Sequence, residues 1–425
     1  MLLKKFKVSP TSWLRVKKLL KQFRRELYRR NIKVKQRKPI LWIVKKVFDI
    51  EIITRNKLVD DGDKYCLRSF GSKELVSINK PITLGEVPHG MKKYINDFTF
   101  EPPFVVEVAN AELVGPKAVG FDETGDVILE TTIPQYYLSK YCLERSVSSR
   151  TLAHKQLPEL RVTKLDIACS LVYKWEGNYW HWIVDCLTRL EGIEYYYKQT
   201  GVKPCLIINS NPTSWQLEFL DLLGYNTNDC LRWNGSRMQV KQLVVPSFRR
   251  LVVNKNLHSF VSPQACRWVS QRILSNLPSS EDNNSFSKNI FVSRRKALGR
   301  RIINEDKIME ALSPLGFTAY VLEDMSVTEQ ARLFSQARIA IAPHGAGLAN
   351  MIFAQNLSVI ELFGSFMQPC YFLLAQGLGF KYGFLKGQSP RTEVRWQDGD
   401  MLVNIDELLK LLTSSSPAHS QDSGF

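Results

Sequence analysis

The chain is predicted to be an α/β protein built on parallel, doubly wound sheet, and three observations carry that prediction. From Lys164 onward, apolar runs of strand length alternate with amphipathic stretches of helix length. The run Ile339–Ala342 stops at Pro343 and passes through His344, Gly345, Ala346 and Gly347 into a helix expected from about Leu348. Ser326 and Glu329 have the S-x-x-E spacing of a capping box ahead of the helical stretch Val327–Ala337.

Length and composition are consistent with this. A chain of 425 residues with 44% hydrophobic content can bury two cores of ordinary size. No uncharged apolar run of about 18 residues occurs, and the N-terminus lacks the apolar core of a signal peptide, so a cytoplasmic location is expected. The eight cysteines are scattered without metal-ligand spacing and read as reduced thiols. The net charge of +17 is concentrated in residues 1–40, which hold fifteen Lys and Arg against the single acid Glu26. The body is therefore nearly neutral, which argues against a nucleic-acid partner.

In chain order, residues 1–38 form a basic arm. Trp13, Val16, Leu20, Phe23 and Leu27 recur at steps of three and four with Lys and Arg on the other faces, the pattern of a basic amphipathic helix. Such a helix lies on an anionic membrane surface or packs its apolar stripe on the protein's own body. Short β-rich runs follow at Ile40–Val44, Phe104–Val108 and Val127–Glu130. Leu165–Tyr173 reads as a strand. After Glu176, Gly177 and Asn178 a helix is expected to about Gln199, then a strand at Cys205–Ile208, a helix at Ser214–Leu223 and a strand at Val240–Val245. Pro263–Leu277 is helical, and the change of domain falls between Ser247 and Lys288; we set it at residue 265. In the second half, Asn289–Ser293, Thr318–Leu322, Ile339–Ala342 and Leu357–Phe363 are strands, Asn304 caps a helix ended by Gly316, and residues 413–425 read as a disordered tail.

Ligands of doubly wound sheets lie at the C-terminal strand ends. Those ends carry Ser293 and Arg294, Glu323 and Asp324, His344 to Gly347, and Glu361. The glycine turn reads either as a phosphate site, where a helix start offers unpaired N–H groups, or as a purely structural turn. Arg294, with Arg295, Arg300 and Arg301 close behind, can give bidentate donors to a diphosphate. His344 is a diphosphate donor or a turn cap, and Glu361 a ribose acceptor or a structural partner. In the first half, His181, Asp185 and Arg189 share one helical face, beside a loop bearing Glu176 and Asn178.

Together these blocks resemble glycosyltransferase family 61. The likeness lies in N-x-x-H-W with following Asp and Arg (Asn178, His181, Trp182, Asp185, Arg189), in VSRR and RRIINE (Val292–Arg295, Arg300–Glu305), in Glu323 and Asp324, in PHGAGLANMIF (Pro343–Phe353) and in VIELF (Val359–Phe363). It departs in D-C-L-T-R, where many relatives have proline before the arginine, and the region before Lys164 carries no signature of the family. The resemblance implies a GT-B-like fold: two Rossmann-like doubly wound domains facing a cleft, residues 39–265 on the acceptor side and 266–412 on the donor side. It implies inverting transfer from a nucleotide sugar, expected to be a UDP-sugar bound as substrate, to a glycan or lipid-linked glycan in surface or capsular polysaccharide synthesis. The arm would then hold the enzyme at the inner face of the plasma membrane. On this reading Asp185 is the base, with His181 orienting it or serving in its place. Ser293, Arg294, Arg301, Glu323, His344, Gly345, Ala346, Gly347, Asn350 and Glu361 bind the donor, and Glu176, Asn178, Trp182 and Arg189 line the acceptor side. Lacking a clear D-x-D motif, the chain need not bind a metal, and no further cofactor is expected. A dinucleotide-dependent oxidoreductase is the competing class, opposed by the missing G-x-G-x-x-G, and a third reading is a non-catalytic protein that keeps the fold.

Overall fold

A computed structural model describes residues 50–132, 163–235, 237–251, 260–279, 286–389 and 399–415. The basic arm, the expected strand Ile40–Val44, Cys142 and residues 416–425 lie outside the described residues. The described residues from Ile53 onward fall in one compact unit. Every cysteine among the described residues is a free thiol. No helix of the described residues is long and apolar enough to cross a membrane.

The first sheet has nine strands among the described residues; besides the short strands Ile52–Ile53, Arg68–Ser69 and Val127–Ile128 it comprises β1 (Phe104–Val114), β2 (Val119–Phe121), β3 (Thr163–Ser170), β4 (Cys205–Ile208), β5 (Leu231–Arg232) and β6 (Arg237–Pro246), with α1 (Leu190–Thr200) and α2 (Ser214–Leu222) among the crossovers. Neighbours run in the order β2-β1-β6-β3-β4-β5. β6, β3, β4 and β5 are parallel, whereas β1 meets β6 antiparallel from Arg237↔Val114 to Pro246↔Val105. This corrects the expectation of a doubly wound sheet throughout the first half. The turn between β1 and β2 is too short for a crossover, so those strands pair as an antiparallel hairpin.

After α3 (Pro263–Ser275), strands and helices alternate through the second sheet: β7 (Asn289–Ser293), α4 (Glu305–Leu312), β8 (Phe317–Val321), α5 (Val327–Gln336), β9 (Ile339–Pro343), a 3-10 helix (Ala346–Phe353), β10 (Ser358–Phe363), α6 (Cys370–Gly377) and β11 (Lys381–Lys386). All its strands are parallel, in the order β8-β7-β9-β10-β11, so the topology reverses between β7 and β9. β11 escaped the sequence reading because Gly383 interrupts a short run with lysines at both ends. The final helix, α7 (Ile405–Ser415), runs past the expected boundary at Leu412.

Side chains alternate across this sheet. Ile290, Val292, Ala340, Ala342, Val359 and Phe363 face the large core that also holds Trp182 and Leu187 of the first half. Phe291, Ile341, Ile360 and Leu362 face α4 and α7, packing on Ile308, Leu408 and Leu411. Truncating such a buried phenylalanine costs about 3–5 kcal/mol. The capping box is present: Ser326 Oγ accepts from Glu329 N at 3.2 Å, and Glu329 Oε2 accepts from Ser326 N at 2.7 Å. Asn304 stands at the start of α4, but its side chain does not cap. It bridges instead to Val403, donating to the carbonyl at 2.8 Å and accepting from the amide at 3.1 Å.

Candidate active site

The crevice of the second sheet follows from its register. β7 pairs with β8 through to Ser293↔Val321, but with β9 only as far as Phe291↔Ile341. The last residues of β7 and β9 therefore splay apart at the point of topological reversal, where ligands of such sheets bind. A cavity of about 320 Å3 opens there, lined by Ser293, Arg294, Glu323, Gly345 and Gly347, with Trp215 from the first half.

The glycines have a specific task. A Cβ on Gly345 would stand 2.3 Å from the Arg294 guanidinium, and one on Gly347 would stand 2.7 Å from Leu322 Cδ1. Their bareness lets Arg294 and the turn after β8 close against β9. The segment that follows is a 3-10 helix, Ala346–Phe353, in place of the expected α-helix. Arg294 donates to Gly299 O at 3.2 Å, while its buried Nε has no partner. Burial and the nearby charge of Arg300 lower its pKa, and Glu323 opposes them. Arg300 itself sits in the left-handed region at φ 56°, a conformation costly for a residue with a side chain.

His344 and Glu361 lie beneath the crevice. His344 Nδ1 bonds Glu361 Oε1, and Tyr382 donates its hydroxyl to Glu361 Oε2. The imidazole is enclosed by Phe363, Phe366 and Tyr371. With both oxygens occupied and the residue fully buried, Glu361 is the structural partner of His344 and not a ribose acceptor. Asn350 is also internal. It donates to Gln330 Oε1 at 2.7 Å and accepts from the Tyr179 hydroxyl at 2.7 Å, joining the two halves. Ser293 is buried, bonded to Glu305 at 2.6 Å. Arg301 is turned away from the cavity onto Asp400, at 2.7 Å.

The first-half helix breaks into four segments: Tyr179–His181, a π-helical turn Trp182–Cys186, a 3-10 turn Leu187–Arg189, and α1. π-turns of this kind recur at functional sites. Asn178 caps the first segment, accepting from His181 N at 3.3 Å. His181 Nδ1 meets Asp185 Oδ2 at 2.7 Å, and the ring stacks on Trp175 at 4.8 Å. Asp185 is fully buried and heavily bonded. Arg250 grips both its oxygens, one at 2.9 Å, and the Tyr173 hydroxyl donates to it at 2.7 Å. Burial alone would raise the Asp185 carboxyl, but Arg250 and His181 outweigh it and hold the group well below the usual carboxylate range. The His181 side chain remains 24% exposed, and its Nε2 makes no hydrogen bond among the described residues.

Two expected cleft residues belong to the core. Trp182 is fully buried, and Arg189 is 2% exposed, donating to Ser170 O at 2.9 Å with its guanidinium over Phe248. The irregular winding at Trp182–Arg189 departs from the uniform periodicity that would keep Arg189 on the His181 face. Glu176 is buried against Lys117 at 2.8 Å. The two halves meet through Trp180, which packs edge-on against Tyr371 at 4.8 Å, and Tyr371 packs likewise against His344 at 5.2 Å. Sequence reading missed Tyr173, Trp175, Trp215, Tyr371 and above all Arg250. The one signal for Arg250 was an arginine pair, Arg249-Arg250, just past the end of an apolar strand.

These features define an α/β protein with a ligand crevice at the switch point of a doubly wound sheet and a histidine–aspartate pair in the adjoining half. The family model described as Glycosyltransferase 61 matches residues 179–360. A stretch of 123 residues is 27% identical to the EGF domain-specific O-linked N-acetylglucosamine transferase of Gallus gallus, covering 27% of this chain and 23% of that protein. The chain thus spans about a quarter of the length of the curated relative it matches.

Proposed function

We propose that the protein is an inverting glycosyltransferase of GT-B-like arrangement that transfers a sugar from a nucleotide-sugar donor, a UDP-sugar, to a hydroxyl of a glycan or lipid-linked glycan. The observation that carries this reading is Arg294: a guanidinium set into the switch-point cavity, with a buried unpartnered Nε and a second arginine, Arg300, close by. A guanidinium where β7 and β9 part, with the charge of a second arginine acting on it, suits a diphosphate. The family match supports the same conclusion.

In such a reaction the acceptor oxygen attacks the anomeric carbon on the face opposite the diphosphate, so a base and a leaving-group site must face each other. Asp185 is sealed and saturated, whereas His181 has Nε2 available. We therefore assign proton removal to His181 Nε2, with Asp185 holding the ring through Nδ1–H. Arg294, Arg300 and the backbone N–H groups of the glycine turn take up the charge on the departing diphosphate, with no metal required. The basic arm is assigned to an anionic membrane surface, which matches a lipid-linked acceptor in surface or capsular polysaccharide synthesis. Deletion of residues 1–38 should then lower co-sedimentation with anionic liposomes, and unchanged co-sedimentation would remove that assignment.

The main test is equilibrium binding and turnover with a panel of UDP- and GDP-sugars, UDP-N-acetylglucosamine included, beside NAD. Arg294→Ala is expected to weaken donor binding about ten- to a hundredfold, as loss of hydrogen bonds to a charged group does. Tight NAD binding with no response to nucleotide diphosphates would instead favour the oxidoreductase reading.

A further inference from the structure

We infer that Glu323 accepts hydrogen bonds from the ribose hydroxyls of the donor and so makes the cavity selective for a ribonucleotide over its 2′-deoxy counterpart. This rests on the nucleotide-sugar reading of the same site. It reassigns a task that the sequence had offered to Glu361.

Two acids line the cavity, Glu218 and Glu323, and of these and the acids at the neighbouring strand ends the following are engaged. Glu361 is held by His344 and Tyr382. Glu305 Oε1 is shared by Ser293 and Arg295. Asp324 takes Lys296 at 2.6 Å. Glu218 caps α5, accepting from the amides of Val327 and Thr328 at 2.9 and 2.8 Å. Glu323 lines the cavity and makes no hydrogen bond among the described residues.

Its position is built, not accidental. Glu323 lies in the 3-10 turn Leu322–Asp324 at the end of β8, the strand paired with β7. Gln330 Nε2 donates to the carbonyls of Leu322 and Met325, each at 3.0 Å, and fixes that turn from both sides. Gly347 leaves room for Leu322 to approach β9. The cavity therefore presents donors alone at Arg294 and acceptors alone at Glu323, from neighbouring strand ends. A phosphate is attracted to the first and repelled by the second, whereas a vicinal diol can give both its protons to a carboxylate. A nucleoside diphosphate offers both groups at adjacent positions, and the polarity of the cavity orients it with ribose toward β8.

The experiment measures dissociation constants of UDP and 2′-deoxy-UDP, neither carrying a donor sugar, for the full-length protein and for Glu323→Gln and Glu323→Ala, with thermal melting as a check on folding. The wild type is expected to favour UDP by about tenfold or more, a ratio that Glu323→Ala reduces to near one and Glu323→Gln leaves intermediate. A wild-type ratio near one, or a ratio unchanged in Glu323→Ala, overturns the assignment while leaving the donor site standing. Failure of every nucleotide diphosphate to bind overturns the proposed function and this inference with it.

Discussion

His181 and His344 each bond a buried carboxylate through Nδ1, one in each half of the molecule, yet the two pairs are finished in opposite ways. Asp185 has its charge matched by the two-point grip of Arg250, so His181 is not required to balance it, and the ring keeps an exposed edge. Among the described residues no arginine or lysine pairs with Glu361, whose other partner is the Tyr382 hydroxyl, and three aromatic rings enclose His344. The difference teaches what a histidine–carboxylate pair is for. With an outside cation and an open Nε2 it is built for the proton transfer proposed for His181, and when caged without one it braces the strand end that carries the glycine turn.

The comparison breaks most directly at His181. Replacement by alanine should lower kcat by about 10²–10⁴-fold, the range for loss of a general base, while UDP binding measured by calorimetry stays within about twofold. Retained turnover would return the base to another group. Asp185→Asn is expected next in size. It leaves Arg250 buried without its counter-charge, and breaking such a pair costs about 3–5 kcal/mol of stability near neutral pH. The sign of the pH effect follows from the depressed carboxyl: its contribution is present above the unfolded pKa of about 3.9 and lost as pH falls toward the folded value. Denaturation curves of wild type and Asp185→Asn should therefore converge on acidification, and a constant gap would show that the charge on Asp185 is not the stabilising feature. Glu361→Gln should have the smallest effect, about 1–3 kcal/mol in unfolding free energy from one poorly matched buried group, with kcat largely kept at permissive temperature. A fall in kcat as large as that of His181→Ala would mean that the two pairs are equivalent after all.

Much of the second half was legible because local rules and tertiary packing agree there. Asn289–Ser293 is a strand to the residue, Ser326 and Glu329 form the capping box, and Gly316 ends its helical stretch at φ 79°. The strand-end residues Arg294, Glu323, Gly345 and Gly347 do converge on one cavity. Periodicity misled where winding is irregular. The uniform helix read over residues 179–199 contains π and 3-10 turns, and Trp182 and Arg189 went to the core. The pairing of Arg250 with Asp185 was not legible because it spans 65 positions of sequence.

By itself, the sequence determined the alternation of strands and helices in the second half, the clustering of chemistry at strand ends and the pairing of His181 with Asp185, since each depends on residues a few positions apart. Only the tertiary structure decided which of those groups are free to act. Whether a carboxylate is a base, a brace or a ribose acceptor depends on which distant donors fill its lone pairs. Arg250 saturates Asp185, His344 and Tyr382 saturate Glu361, and nothing among the described residues saturates Glu323. Those partners are brought together by the fold, from strands and turns whose separation along the chain carries no local signal.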